Sequence, residues 1–240
     1  TLKSSSTIVV IDARANSAYE KERIPNSINI PHKTINEETT NTLEKEKIIA
    51  QFLDVIYTKL NLQFERVTDK KMQFQGIDLI YVQNQNTVHI DEKAQLHYLN
   101  KDLPTFTFEL SYKKNGVLKK GWLFDSTKKT DYYFLVTGIF LKTDKLRHFE
   151  NIKTCKITSI DRRKLLNHLD KLGLNEAKLE FYDHELRKNQ QFGKHIIAEI
   201  GAKHGSLHFT EHLSERPINL KLRLDYLLRM EIAKRLFPIG

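Results

Sequence analysis

The sequence predicts an α/β (α+β) fold in which a central mixed β-sheet is flanked by helices, with additional helices toward the C-terminus. Three observations predict it. Apolar residues recur at helical spacing from Asn41 to about Leu60, several strand-like blocks follow between Gly76 and Leu141, and helical texture returns afterwards. Hydrophobic residues make up 40% and aromatics 10% of the 240 residues, which supports a packed core and excludes a disordered chain.

Taken in order, Thr7 to Asp12 reads as a strand, Asn16 to Glu22 as a short helix, and Ser27 to Ile30 as a second strand. In the helix from Asn41, residues Leu43, Ile48, Ile49, Phe52, Leu53, Ile56 and Leu60 form one apolar stripe. Thr42 is positioned to cap it, with Glu44 and Glu46 in the first turn where the helix dipole favours acids. Strands are expected at Gly76 to Gln83 and Thr87 to Leu96, separated by the turn-rich Asn84-Gln85-Asn86. Further strands are expected at Phe106 to Tyr112, Lys119 to Phe124 and Tyr132 to Leu141. Asp161 to Leu172 reads as a helix ending at Gly173, Asn175 to Phe181 as a short element, and Asn219 to Phe237 as a long amphipathic helix. The expected organisation is an N-terminal segment (residues 1–41) and one domain (42–240), with a core at 42–145 and a C-terminal extension at 146–240.

Net charge is +9, and its placement is informative. Residues 1–41 hold five bases and five acids, so the whole excess lies in 42–240 and favours a polyanionic partner there. No apolar run approaches the roughly 20 residues that span a bilayer, and Thr1 to Ser6 lack the regions of a secretory signal. One cysteine, Cys155, permits no internal disulfide. Together these features lead us to expect a soluble, cytoplasmic protein with no membrane partner. Of ten histidines, His204 and His208 lie four apart, but Gly205 between them argues against a helical zinc pair.

The chemistry concentrates in Gly76-Ile77-Asp78-Leu79-Ile80 and Val88-His89-Ile90-Asp91-Glu92-Lys93-Ala94-Gln95. Strand alternation places Asp91, Lys93 and Gln95 on one face and Ile90, Glu92 and Ala94 on the other. A hairpin would bring Asp78 beside Asp91, with Lys93 adjacent. Two carboxylates supply hard oxygen ligands for Mg²⁺, which keeps several waters, and a lysine can position or help deprotonate an attacking water. His89 shares the Asp91 face.

These residues resemble the PD-(D/E)xK nuclease superfamily, with Asp78 matching its first acid, Asp91 and Lys93 its D/E-x-K element, and Gln95 the following glutamine. Ile77 stands where the family name has proline. The resemblance implies a restriction-endonuclease-like fold, an Mg²⁺-dependent endonuclease of restriction, repair or mobile-element type (Mn²⁺ able to substitute) acting on DNA, with RNA left open, and a glutamate on the preceding helix, Glu46 or Glu44. It also implies nucleic-acid contacts near the third strand, for which Lys119, Lys120 and Trp122 are the candidates, Trp122 being equally readable as core. Double-strand cleavage with one site per chain would call for a homodimer. A non-cleaving nucleic-acid binder on the same fold is the alternative.

A second resemblance covers only the N-terminus. Ile8-Val9-Val10-Ile11-Asp12-Ala13-Arg14, Ala18-Tyr19 and Arg23-Ile24-Pro25-Asn26-Ser27-Ile28-Asn29-Ile30-Pro31, continued through Thr40, resemble the opening of a rhodanese domain. The catalytic cysteine loop of that family does not follow, and Cys155 lies in a strand-like stretch. The expectation is a truncated or fused fragment without sulfurtransferase activity.

Overall fold

The computed structural model describes residues 11–12, 28–29, 37–83 and 86–238. In chain order its elements begin with β1 (Ile11–Asp12), β2 (Ile28–Asn29), α1 (Glu37–Lys59), β3 (Phe64–Arg66), α2 (Lys70–Phe74), β4 (Leu79–Gln83) and β5 (Asn86–Ala94). Next come β6 (Thr105–Lys114), β7 (Val117–Lys120), β8 (Tyr132–Leu141), β9 (Ile152–Asp161), α3 (Arg162–Lys171) and α4 (Glu176–Lys188). The chain closes with β10 (Gly193–His195), β11 (Gly205–Phe209), β12 (Ile218–Arg223), α5 (Leu224–Arg229) and β13 (Ala233–Phe237).

The result is a mixed α+β protein built on two large sheets. A six-stranded sheet runs β13-β9-β8-β5-β4-β3, and a five-stranded one runs β10-β11-β12-β6-β7. In the first, β5 and β8 are parallel while the other neighbours are antiparallel, so the sheet is mixed as expected. The second is antiparallel throughout. β1 and β2 form a parallel pair, while the helix expected between them lies outside the described residues. Strands from both sides of residue 145 complete the six-stranded sheet, since β9 and β13 pair alongside β8.

Burial follows the alternation along β8. Phe134 and Val136 point to one core, shared with Ile49, Leu53, Ile56 and Tyr57 of α1. Tyr133 and Leu135 point to the other, shared with Phe106 and Phe108 of β6, Leu220 and Leu222 of β12, and Leu165 and Leu169 of α3. The central sheet therefore lies between α1 and the second sheet. Most of the predicted elements appear near their expected bounds, and β8 spans Tyr132–Leu141 as read. Asp161 and Asn175 cap α3 and α4, each accepting from a backbone N–H three residues on.

Three elements correct the sequence reading. α1 starts at Glu37, so Thr42 lies inside the helix and not at its cap. β7 ends at Lys120 because Gly121 turns the chain. A Cβ there would collide with the backbone of Glu109, which only glycine avoids. Asn219 to Phe237 is not a helix: it forms β12, the short α5 and β13. Ile218, Leu220, Leu222 and Leu224 recur every second residue, and β12 is buried in strict alternation, a period-two pattern with only a single helical turn after it.

On the α1 face of β5, Glu92 accepts from Arg66 Nη1 at 2.6 Å and from the Tyr57 hydroxyl at 2.6 Å. Arg66 also binds Asp54 of α1 at 2.5 Å. This clamp ties α1, β3 and β5 together around a Glu92 side chain that is only 11% exposed. Arg66→Leu, which leaves that carboxylate without its cation, is expected to cost about 3 kcal/mol of unfolding free energy. Urea denaturation checks this, and an unchanged midpoint would show the clamp to be dispensable.

Candidate active site

The β4–β5 hairpin forms as predicted, with Leu79 opposite Ile90. One step further along this register sets Asp78 opposite Asp91, and the Asp78 N–H donates to the Ile90 carbonyl at 2.8 Å. Asp78 Oδ2 accepts from the Glu92 N–H at 2.8 Å, which fixes the carboxyl against β5. Asp91 is 2% exposed, and its charge acts on the Asp78 carboxyl across the hairpin. Lys93 Nζ lies 2.5 Å from Asp91 Oδ1 and 5.5 Å from the centre of the Trp122 ring. The alternation argument is thus correct: Asp91 and Lys93 share one face, and Glu92 takes the other with Arg66 and Tyr57.

Gly76 makes this packing feasible. Its φ is +73°, and a Cβ would run into Thr130 Oγ1 and come within 3.4 Å of Asp91 Oδ2. Thr130, which is buried, donates from that oxygen to the Gly76 carbonyl at 2.8 Å. Lys128 Nζ meets the Phe74 carbonyl at 2.6 Å, so the loop after Trp122 closes over the entrance to β4.

The electrostatics are those of acids outnumbering their cation. Burial, then the charge of Asp91, pushes the Asp78 carboxyl up to about 7, against the pull of the Glu92 N–H and Lys93. For Lys93, burial alone would lower the pKa, but Asp91, Asp78 and Glu109 outweigh it and the net direction is upward. Lys93 is therefore an ammonium in the resting site. Glu46 of α1 is raised by partial burial, and Lys93 pulls it back down, which places Glu46 within the same field. Glu109 of β6 is pushed up to about 7 by burial and by Glu215, with Lys93 and Lys128 opposing.

Glu46, Asp78, Lys93, Glu109 and Trp122 line one cleft of about 880 Å³ between α1, the central sheet and the second sheet. Asp91, buried, reaches the cleft through its bond to Lys93. The structure thus brings together Glu46, Asp78, Asp91, Lys93 and Trp122 from the sequence reading, and it selects Glu46 over Glu44 as the helix acid lining the cleft. Gln95 is placed differently: β5 ends at Ala94, and Gln95 Nε2 donates to the Thr105 carbonyl at 2.9 Å. Lys119 and Lys120 line a separate cavity of about 560 Å³ under α4. Lys120 is committed there to Glu176 and Glu180, so these lysines are not part of the carboxylate cleft. His89 pairs with Asp131 at 3.6 Å. Trp122 is both things the sequence allowed, half-buried against Tyr133 (centroids 4.8 Å apart) and exposed to the cleft. Sequence reasoning missed Glu109; its alternation with Thr105 and Thr107, on the face of β6 opposite the buried Phe106, Phe108 and Leu110, was the available signal.

The donor set fits a hard divalent cation. The half-buried Asp78 and the buried Asp91 lie on paired strands with the Lys93 ammonium bonded to Asp91, so one negative charge is left over once Asp78 ionises. Among the described residues no group of three or more His, Cys, Asp or Glu is poised to hold an ion alone. That suits Mg²⁺, which is held by one or two carboxylates and keeps several waters, better than a closed zinc site.

Comparison with known proteins adds one finding. The model of the family described as Rhodanese-like domain matches residues 1–68. No curated protein and no solved structure matches the chain. The match extends past residue 41 through α1 and β3, whose Ile49, Leu53, Ile56, Tyr57 and Phe64 pack with β4, β5 and β8. No helix among the described residues is long and apolar enough to cross a membrane.

Glu109 offers a direct check on this electrostatic picture. Its native pKa near 7 exceeds the ordinary 4.5, so between those values the folded protein keeps a proton that the unfolded chain has released. Stability should therefore fall as pH rises from about 4.5 to about 7 and level off above, with Asp78 contributing in the same sense. In chelator, Glu109→Gln should flatten that fall by on the order of 2 kcal/mol. Parallel urea curves for wild type and variant across this range would contradict it.

Proposed function

We propose that the cleft is the active site of an Mg²⁺-dependent nuclease that hydrolyses phosphodiester bonds in DNA or RNA, of the PD-(D/E)xK type. The observation that carries the reading is the placement of Asp78 opposite Asp91 across the hairpin, with Lys93 bonded to Asp91. Asp78 and Asp91 would hold the ion, which when bound polarises the phosphate and lowers the pKa of a coordinated water. The chain's own groups do the rest. Lys93, held as an ammonium by Asp91, donates to a phosphoryl oxygen and offsets charge that builds in the transition state. Its protonation rules it out as the resting base. Glu109, pushed up to about 7, is the cleft group suited to accept a proton near neutral pH, and Glu46, raised by burial, lies in the same cleft. The Trp122 ring beside Lys93 offers a face on which a base can stack.

The family match raises a second reading, persulfide sulfur transfer. Cys155 is the chain's one cysteine, 1% exposed in β9, and burial pushes its thiol up to about 12. Such a thiol is neither accessible nor ionised, so it cannot carry a persulfide. Thiosulfate and cyanide should yield no thiocyanate, and turnover above background would revive that reading.

With Mg²⁺ or Mn²⁺ the protein is expected to nick or cleave a polynucleotide. Asp78→Ala and Lys93→Ala should each lower the rate by at least about a hundredfold while polynucleotide binding in chelator survives. Binding without cleavage by the wild type, with every divalent ion and polymer tried, would reduce the protein to a binder. Because Asp78 holds a proton up to about pH 7, Mn²⁺ affinity should rise with pH through that range. Calorimetry should find no such binding in Asp78→Asn.

A further inference from the structure

The second sheet has one apolar face and one polar face. On the polar face the register sets Glu109 beside Asn219, Thr107 beside Lys221 and Thr105 beside Arg223. It continues with Lys221 beside Ser206, Asn219 beside His208, and His208 beside Lys194. Glu109, Thr107 and Asn219 belong to the carboxylate cleft, whereas Thr105, Lys221, Arg223 and Lys194 line an adjoining groove of about 500 Å³. Cleft and groove are thus consecutive stretches of the same two strands, β6 and β12.

The groove is cationic. Lys194, Lys203 and Lys221 have no acidic partner among the described residues, and the groove's Asp225 is taken by Arg223 at 2.8 Å and Arg229 at 3.2 Å. After burial, the charges of Lys221, His195 and His212 hold the His208 imidazole below its ordinary value, which reports the same positive field. By contrast, the cavity containing Lys119 and Lys120 is internally compensated, with Lys120 paired to Glu176 and Glu180 and Arg187 to Asp183. The sequence grouped Lys221, Arg223, Arg229, Lys234 and Arg235 on one helix. The structure instead sends Lys234 and Arg235 to β13 and joins the other three to Lys194 and Lys203.

We propose that this polar face is a track for the phosphodiester backbone, along which the substrate strand lies as it enters or leaves the carboxylate cleft. The proposal rests on the nuclease reading of that cleft. From Asn219 to Arg223 the strand advances about 13 Å, roughly the length of four phosphates on one strand of a duplex. The unpaired lysines supply sequence-independent charge where the acidic cleft cannot.

The test measures anisotropy of a labelled DNA or RNA oligonucleotide in chelator, using the full chain across a salt titration, and cleavage of the same oligonucleotide with Mg²⁺. Lys194→Ala/Lys203→Ala/Lys221→Ala should weaken binding about 10- to 100-fold and reduce the slope of log affinity against log salt by about 2 to 3. The triple Lys→Arg variant should bind as wild type. A control of equal charge, Lys142→Ala/Lys145→Ala/Lys153→Ala at the β8–β9 end, should also bind as wild type. An equal loss in the control, unchanged binding by the groove variant, or no binding by wild type overturns the track. If the groove variant alone loses binding but wild type cleaves nothing, the track stands and the nuclease reading falls. If wild type cleaves and the groove variant binds and cleaves equally well, the nuclease reading stands and the track falls.

Discussion

Strand β5 presents a carboxylate to each side of the central sheet, and the rest of the molecule is arranged around that. Toward α1, Glu92 is neutralised by Arg66 and bonded to the Tyr57 hydroxyl. Toward the second sheet, Asp91 is neutralised by Lys93. Because alternate residues cannot exchange faces without a shift in register, the Glu92 clamp also fixes which way Asp91 and Lys93 point. The clamp is internally complete: carboxylate, guanidinium and phenol satisfy one another. The Asp91 side is not, because Asp78 adds a second carboxylate and no second cation accompanies it. One face of β5 is therefore internally satisfied, and the other is the face on which the proposed metal site rests.

That contrast explains what was legible in the sequence. The hairpin, the split of Asp91 and Lys93 from Glu92, and the strand Tyr132–Leu141 follow from local alternation and turn chemistry, so a linear reading finds them. Glu46 was within reach too, as an acid near the apolar stripe of α1. Glu109 was not, since only the pairing of β6 with β12 and the stacking of two sheets bring it to the cleft. Gln95 failed for a local reason: the strand ends one residue before it, and the alternation that would have aimed it at Asp91 ends there as well. Asn219 to Phe237 failed because leucines at even spacing, followed by a single helical turn, imitate a longer amphipathic helix.

The match to a Rhodanese-like domain over residues 1–68 and the carboxylate cleft meet in α1. The same helix supplies Ile49, Leu53, Ile56 and Tyr57 to the core and Glu46 to the cleft. Whatever the opening residues share with that family, the chemistry available here is carboxylate and amine chemistry. The lone thiol is buried in β9, two strands from β5, and its environment suppresses ionisation.

A cleft lined by Glu46, Asp78, Glu92 and Glu109, with Asp91 beneath Lys93, holds more acids than Lys47, Arg66 and Lys93 offset, which disfavours a polyanion. Two features of the structure resolve the conflict. The raised pKa values of Asp78 and Glu109 mean that near neutral pH part of the negative charge is masked by protons, ready to be displaced by a cation. Beyond the acids, the same polar face of the second sheet turns positive within two residues of Asn219, at Lys221. The field therefore changes sign along one strand. On the proposed nuclease reading, a phosphate backbone held on the positive stretch would be delivered to the acidic stretch at high effective concentration, so attraction and chemistry would come from adjacent residues of β12 and β6 and need not compete for the same site.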